Sequence, residues 1–282
     1  MKKKCLLILA SIILLSNLAQ AQSCDYTCKS PVDLSSKAMQ IFSIITGQNF
    51  VSEKVFEQII KKSIAKKIDG DFDVNLDGYS FTDLKNGKFK SLKIMGESVN
   101  IKRIYFSAVK LQTICDYNYI DFNNSEFEVK EDLPANFSLM MSEQDLNKTM
   151  LSTDYQKLLK ELNLFGSSLN LFEITSSTVK ISENKIDYIL EIKMPFIGGK
   201  QRVIISADLK VENGEIKFVN AEFNTNFLKI NLNNITEMLN YINPLAFSIN
   251  MLENNKVNIN TSDIILNEGK IYVNGKVIVL KN

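Results

Sequence analysis

Between Ile186 and Val211 the apolar residues fall on every second position. Ile186, Tyr188, Leu190, Ile192, Met194 and Phe196 make one run, and Val203, Ile205, Ala207, Leu209 and Val211 make the next. A period of two is the signature of a strand with one dry face and one wet face. Gly198-Gly199 reads as the turn between the runs, and Asn213-Gly214 as the next turn. After it, Ile216 and Phe218 are even whereas Ala221, Phe223 and Phe227 are odd. That change of phase predicts a β-bulge near Phe218-Val219. The pattern is an antiparallel meander, and its apolar face must be covered by something.

The same alternation opens the β-rich region nearer the N-terminus. In DFDVNLDG, residues 71–78, Phe72, Val74 and Leu76 interleave with Asp71, Asp73, Asn75 and Asp77. Asp73, Asn75, Asp77 and Gly78 also match the first half of an EF-hand calcium loop. Positions 9 and 12 of such a loop would be Phe81 and Leu84, so the closing carboxylate is missing and a strand is the better reading. Asn86-Gly87 is a hairpin signal before Leu92 and Ile94. Further strands are expected around 104–111, 120–122 and 137–141, and at the C-terminus in VNINTSDIIL and KIYVNGKVIVL.

Three amphipathic helices punctuate the strands. Ser52 reads as the N-cap of a helix with Val55, Phe56, Ile59, Ile60 and Ile64 on one stripe and a lysine-rich end before Gly70. Ser142 and Asp145 form a capping pattern for a second helix, with a break near Ser152-Thr153. A third carries Ile235, Met238, Leu239 and Ile242, with Pro244 as its stop.

MKKK, an apolar stretch and Ala19-Gln20-Ala21 resemble a secretory signal peptide over residues 1–21. A lead-in at 22–50 and a single α+β domain at 51–282 follow. Lipidation of Cys24 is an alternative, although the upstream leucine of such sites is absent. The expected location is periplasmic or secreted. Loss of Lys2, Lys3 and Lys4 with the signal turns a formal charge of +1 into −2, and no dense basic run remains, so nucleic acid is a poor partner. Cys24, Cys28 and Cys115 stay in the exported chain, and close spacing suggests a Cys24–Cys28 bridge with Cys115 free.

The chain has no histidine. Ser-His-Asp and Cys-His catalysis are thereby excluded, as are histidine-based metal sites. No phosphate-cradling glycine motif is present, and no pair of carboxylates stands out among the polar strand faces. No catalytic residue, metal or cofactor is expected.

Taken in order, the signal peptide, the first helix, DFDVNLDGYSFTDLKNGKFKSLKIMGESVNIKRIYFSAVKLQ, MSEQDLNKTMLS, VENGEIKF, NYINPL and INTSDIILNEGKIYVNGKVIVL resemble the LmeA-like phospholipid-binding family of bacterial envelope proteins. The resemblance covers most of residues 50–282. It implies a long, curved antiparallel β-sheet wrapped around amphipathic helices, a TULIP-like half-barrel with an apolar tunnel. It also implies binding of phospholipid acyl chains, with lipid transfer or support of envelope glycolipid assembly as the role. Peripheral membrane contact is compatible with it. The alternative is an envelope structural or assembly protein with no mobile ligand. By side-chain parity the expected lipid lining is Phe72, Val74, Leu76, Leu92, Ile94, Leu190, Ile192, Met194, Ile205 and Leu209.

Overall fold

The computed structural model describes residues 26–121, 128–168, 172–182, 184–194, 197–224, 239–267 and 269–281. The stretch expected to be a signal peptide, Cys24, Phe122, Phe196, Phe227, Ile235 and Met238 lie outside them. The architecture is α+β, built on two antiparallel sheets that do not close into a barrel.

Two helices come first, α1 (Lys37–Ile45) and α2 (Gln48–Ala65). Gly47, at φ 71°, ends one and opens the other, with its N–H donating to the Ile44 carbonyl. A left-handed residue after a helix is where glycine carries no Cβ penalty. The first amphipathic helix therefore starts before Ser52. Ser52 lies inside it, buried, with its hydroxyl donating to the Asn49 carbonyl.

Strand β1 (Asp69–Gly78) buries Phe72, Val74, Leu76 and Gly78 and exposes the residues between them. Asp73, Asn75 and Asp77 thus stand along the wet side of a strand, as the alternation required, and not around a loop. The expected hairpin forms, since β1 pairs antiparallel with the strand that follows Gly87. Its connection also holds a short helix, α3 (Phe81–Lys85), and Asn86-Gly87 turns the chain out of that helix with Gly87 at φ 78°. The helix cap is Ser80, whose side chain accepts from the Asp83 N–H at 3.1 Å. The Ser80 cap opens the helix within the connection, and Asn86 and Gly87 close it, their N–H groups donating to the Thr82 and Leu84 carbonyls.

The main sheet is completed by β2 (Lys88–Ile101), β3 (Ile104–Thr113), β4 (Asn118–Asp121), β5 (Glu128–Val129), β6 (Leu133–Ser142), β11 (Val257–Asn267) and β12 (Lys270–Val279). Its long strands run in the order β1-β2-β3-β6-β12-β11. The second sheet is the meander β7 (Glu173–Ile181), β8 (Ile186–Met194), β9 (Ile197–Glu212) and β10 (Glu215–Asn224). Gly198-Gly199 lies within β9. Met194 pairs with Ile197 and Lys193 with Lys200, so the glycines form an irregularity in the hairpin. The bulge in β10 falls between Val219 and Glu222, with Asn220 at φ 52°, just beyond the position that the phase change marked.

Helix α4 (Glu143–Met150) starts on the expected capping box, Ser142 with Asp145, and contacts both sheets. It stops before α5 (Thr153–Ser168), at the expected break. Residues 239–241 are helical, but Pro244 opens a new helix, α6 (Pro244–Asn250). Asn243 caps it, accepting from the Leu245 and Ala246 N–H groups. A proline's fixed φ and missing N–H suit the first helical position, so the same residue that stops one helix starts another.

The core between the sheets and these helices is mostly apolar, and its buried polar groups include Thr149, Asn243, Ser248 and a pair of tyrosines. Tyr155 donates to the Ile242 carbonyl at 2.6 Å, so Tyr188, 2.7 Å away, donates to Tyr155. Burial pushes both phenols up, Tyr188 to about 12. In the unfolded chain they ionise near 10. The unfolded state therefore loses protons first, and stability should fall as pH rises from about 10 towards 12. In a spectrophotometric titration, these two tyrosines should ionise only as circular dichroism reports unfolding.

Candidate functional site

Antiparallel pairing places directly opposed residues on the same face. Across the main sheet one such row runs Val74, Ile94, Leu111, Phe137, Gly275 and Thr261. The neighbouring row is Phe72, Gly96, Val109, Leu139, Val273 and Ile264. One face of six strands is therefore almost wholly apolar.

Part of this face is covered. Beneath α2, Val74, Leu76 and Leu92 pack with Ile60, Leu84, Phe89 and Ile120. Farther along the face lies a partly enclosed cavity of about 240 Å³. Its walls come from β2, β3, β6, β11 and β12, with Leu252 beside them. Leu111, Phe137, Leu139, Ile259 and Val277 are representative. Gln112 and Thr113 are its polar members, and no charged residue lines it. The Thr113 hydroxyl is occupied, accepting from the Leu92 N–H at 3.0 Å. An apolar hole of about 150 Å³ can stay dry and take up a small hydrocarbon. A site of this kind holds ligands by desolvation and dispersion, not by ion pairing.

Of the residues expected to line a lipid site, Leu92 and Ile94 do line this cavity. Phe72, Val74 and Leu76 share its face but are buried in neighbouring packing. Leu190, Ile192 and Ile205 are buried in the core of the second sheet, and Met194 and Leu209 pack against that core. Helices α4, α5 and α6 occupy the space in front of those strands. Parity identified apolar faces correctly, but not which face the helices would leave uncovered. Phe137, Leu139 and Val277 belong to strands that alternate as cleanly as β8, whereas β3 changes phase between Ala108 and Val109 and β11 between Ile259 and Ile264.

The bridge between Cys24 and Cys28 is corrected. Cys28 is bonded to Cys115, 87 residues away. The reason is tertiary. The lead-in runs along the end of the main sheet, where Tyr26 donates to the Asp132 carbonyl and Lys29 pairs with Glu131. Farther on, the Ser35 N–H donates to Asp83 and Lys88 donates to the Asp33 carbonyl. Short spacing in sequence is irrelevant once these contacts lay residue 28 beside residue 115. Among the described residues, no group of three or more cysteine or acidic side chains is placed to hold a metal ion.

No family model, curated protein or solved structure matches this chain.

Proposed function

We propose that this is an exported lipid-binding protein that holds an acyl chain of a phospholipid or related lipid in the cavity on the main sheet. The observation that carries the reading is the uncharged, almost wholly apolar lining of a hole of about 240 Å³. Each methylene moved from water into such a place is worth about 0.8 kcal/mol. Sites for whole small molecules usually enclose roughly 300–1,000 Å³. This one suits a segment of a chain, with the head group outside, where no cluster of cations on the lining would select it. On this reading the main sheet is the half-barrel of a TULIP-like fold and the cavity is a short stretch of its tunnel. Export is supported by the signal-like N-terminus and by a disulfide that persists in oxidising compartments.

Organic extraction and mass spectrometry of protein purified from an export compartment test the idea, together with uptake of a fluorescent fatty acid. Wild-type protein should yield lipid. Ala135→Phe, which puts a ring into the cavity without adding charge, should weaken uptake about ten-fold or more while keeping the wild-type circular dichroism. A wild-type protein that carries no lipid and takes up none would replace this reading with a structural role in the envelope. Undiminished uptake by a folded Ala135→Phe protein would remove the cavity from it.

A further inference from the structure

Helix α1 is amphipathic the wrong way round. Its one buried residue is Ser43, whose hydroxyl donates to Asn49 Oδ1 at 2.7 Å and accepts from the Phe81 N–H at 3.2 Å. The Asn49 amide then donates to the Tyr79 carbonyl. Polar contacts pin the helix down, and its apolar side chains face out. Ile45 is 78 % exposed and Ile44 60 %, and at the start of α2 Phe50 is 65 % and Val51 63 % exposed. Ile41 and Phe42 are exposed beside them, and Val55 and Ile59 continue the surface along α2. An ordinary surface helix turns its apolar stripe inwards. A contiguous exposed apolar surface of this kind marks an interaction site.

Within the two helices lysines outnumber carboxylates. Residues 34–68 contain Lys37, Lys54, Lys61, Lys62, Lys66 and Lys67, and their only carboxylates are Glu53 and Glu57. Both carboxylates turn inwards onto β1. Glu53 accepts from the Gly78 N–H at 2.9 Å, and Glu57 accepts from the Leu76 N–H at 3.1 Å while pairing with Lys54. The outer surface of the corner is thus apolar with a fringe of exposed lysines.

We propose that the α1–Gly47–α2 corner docks onto an anionic lipid surface. Ile44, Ile45, Phe50 and Val51 enter the boundary between head groups and acyl chains, and the lysines meet the phosphates. Long lysine stems can lie along the apolar layer while their ammonium groups stay among the head groups. Charge decides between occupants, because a second copy of the chain would bring the same lysines face to face. Among the described residues no helix is long and apolar enough to cross a membrane, so docking by these helices is peripheral. This inference does not rest on the cavity, which lies elsewhere on the molecule and is lined by other residues.

Cosedimentation with vesicles tests it. The exported protein should pellet with vesicles of phosphatidylcholine mixed with phosphatidylglycerol, less with phosphatidylcholine alone, and less at high salt. Ile45→Asp combined with Phe50→Asp should weaken pelleting about ten-fold or more, since affinity scales with the apolar area inserted. The thermal midpoint should not move, because both side chains are solvent-exposed. Lys61→Glu with Lys62→Glu should abolish the preference for anionic vesicles. The Ala135→Phe protein should pellet like wild type, which separates this surface from the cavity. Failure of the wild-type protein to pellet with either vesicle would overturn the proposal. So would undiminished pelleting by the double aspartate variant. A homodimer in light scattering that the aspartates dissociate would assign the corner to a second copy instead.

Discussion

Replacing Cys28 and Cys115 with serine should lower the stability of the fold by about 4–5 kcal/mol, if the link acts chiefly by restricting the unfolded chain. The magnitude comes from the span that the bridge closes, a separation of 87 residues that takes in α1, α2 and the first three strands of the main sheet. Closing so long a loop costs the unfolded chain far more freedom than a four-residue spacing would. Around the bridge, the lead-in is also held by the exposed Lys29–Glu131 pair and by part-buried hydrogen bonds from Tyr26 to the Asp132 carbonyl and from Ser35 to Asp83. The covalent bond fixes residue 28, and the Ser35–Asp83 bonds fix the far end of the lead-in. Urea denaturation of the wild-type protein with and without reductant, and of the double serine variant, measures the effect. Both treatments should move the midpoint down together. Peptide mapping without reduction should recover a fragment that joins residue 28 to residue 115. Equal midpoints would mean that the unfolded chain is not restricted by this link.

The Cys28–Cys115 pairing also shows where reading the sequence stops. Features decided within a few residues were legible. The Ser142-Asp145 capping box starts α4, and the alternation of Phe72, Val74 and Leu76 is the burial pattern of β1. The phase change after Phe218 places a bulge within two or three residues of the observed one. Misreadings arose where one local signal served two purposes. Gly47 both ends and begins a helix, so Ser52 lost its capping role. Pro244 both stops and starts one. Asn86-Gly87 does turn the chain between β1 and β2, but it shares that connection with the helix that Ser80 caps. The candidate site was less legible than the fold. Leu190 and Val279 are apolar members of strands that keep a single parity. Only the placement of α4, α5 and α6 over the second sheet makes one a core residue and the other a cavity wall. That choice depends on contacts between distant segments and has no local signature. The outward apolar face of α1 has the same origin, because its spacing fits a packed helix and only the polar pins at Ser43 and Asn49 turn it away from the core.

Gly275→Val should destabilise the protein by about 3 kcal/mol, with no charge or hydrogen-bonding group changed. Gly275 sits in β12 opposite Phe137 on one side and Thr261 on the other, within the apolar row that runs across the main sheet. A Cβ there would lie 2.6 Å from the Phe137 ring and closer still to the backbone oxygen of Asn260. The ring lies over the glycine because nothing projects from that position, and this is how an aromatic side chain fits between two strands at a cavity wall. A flexible neighbour could swing away. A backbone carbonyl within a strand cannot, so the strain must pass into the β11–β12 ladder. Two variants separate the two sources of strain. Phe137→Leu alone should cost less than about 2 kcal/mol, because it removes volume from a site that already borders a cavity. Combined with Gly275→Val, it should recover only the part of the loss due to the ring, so the two effects will not add. Chemical denaturation of the four proteins gives the coupling directly. If Phe137→Leu restores the whole stability of Gly275→Val, the ring alone accounts for the glycine. If Gly275→Val unfolds at the wild-type midpoint, β12 does not lie against Phe137 and Asn260 in this register, and the cavity wall built from those strands is wrong.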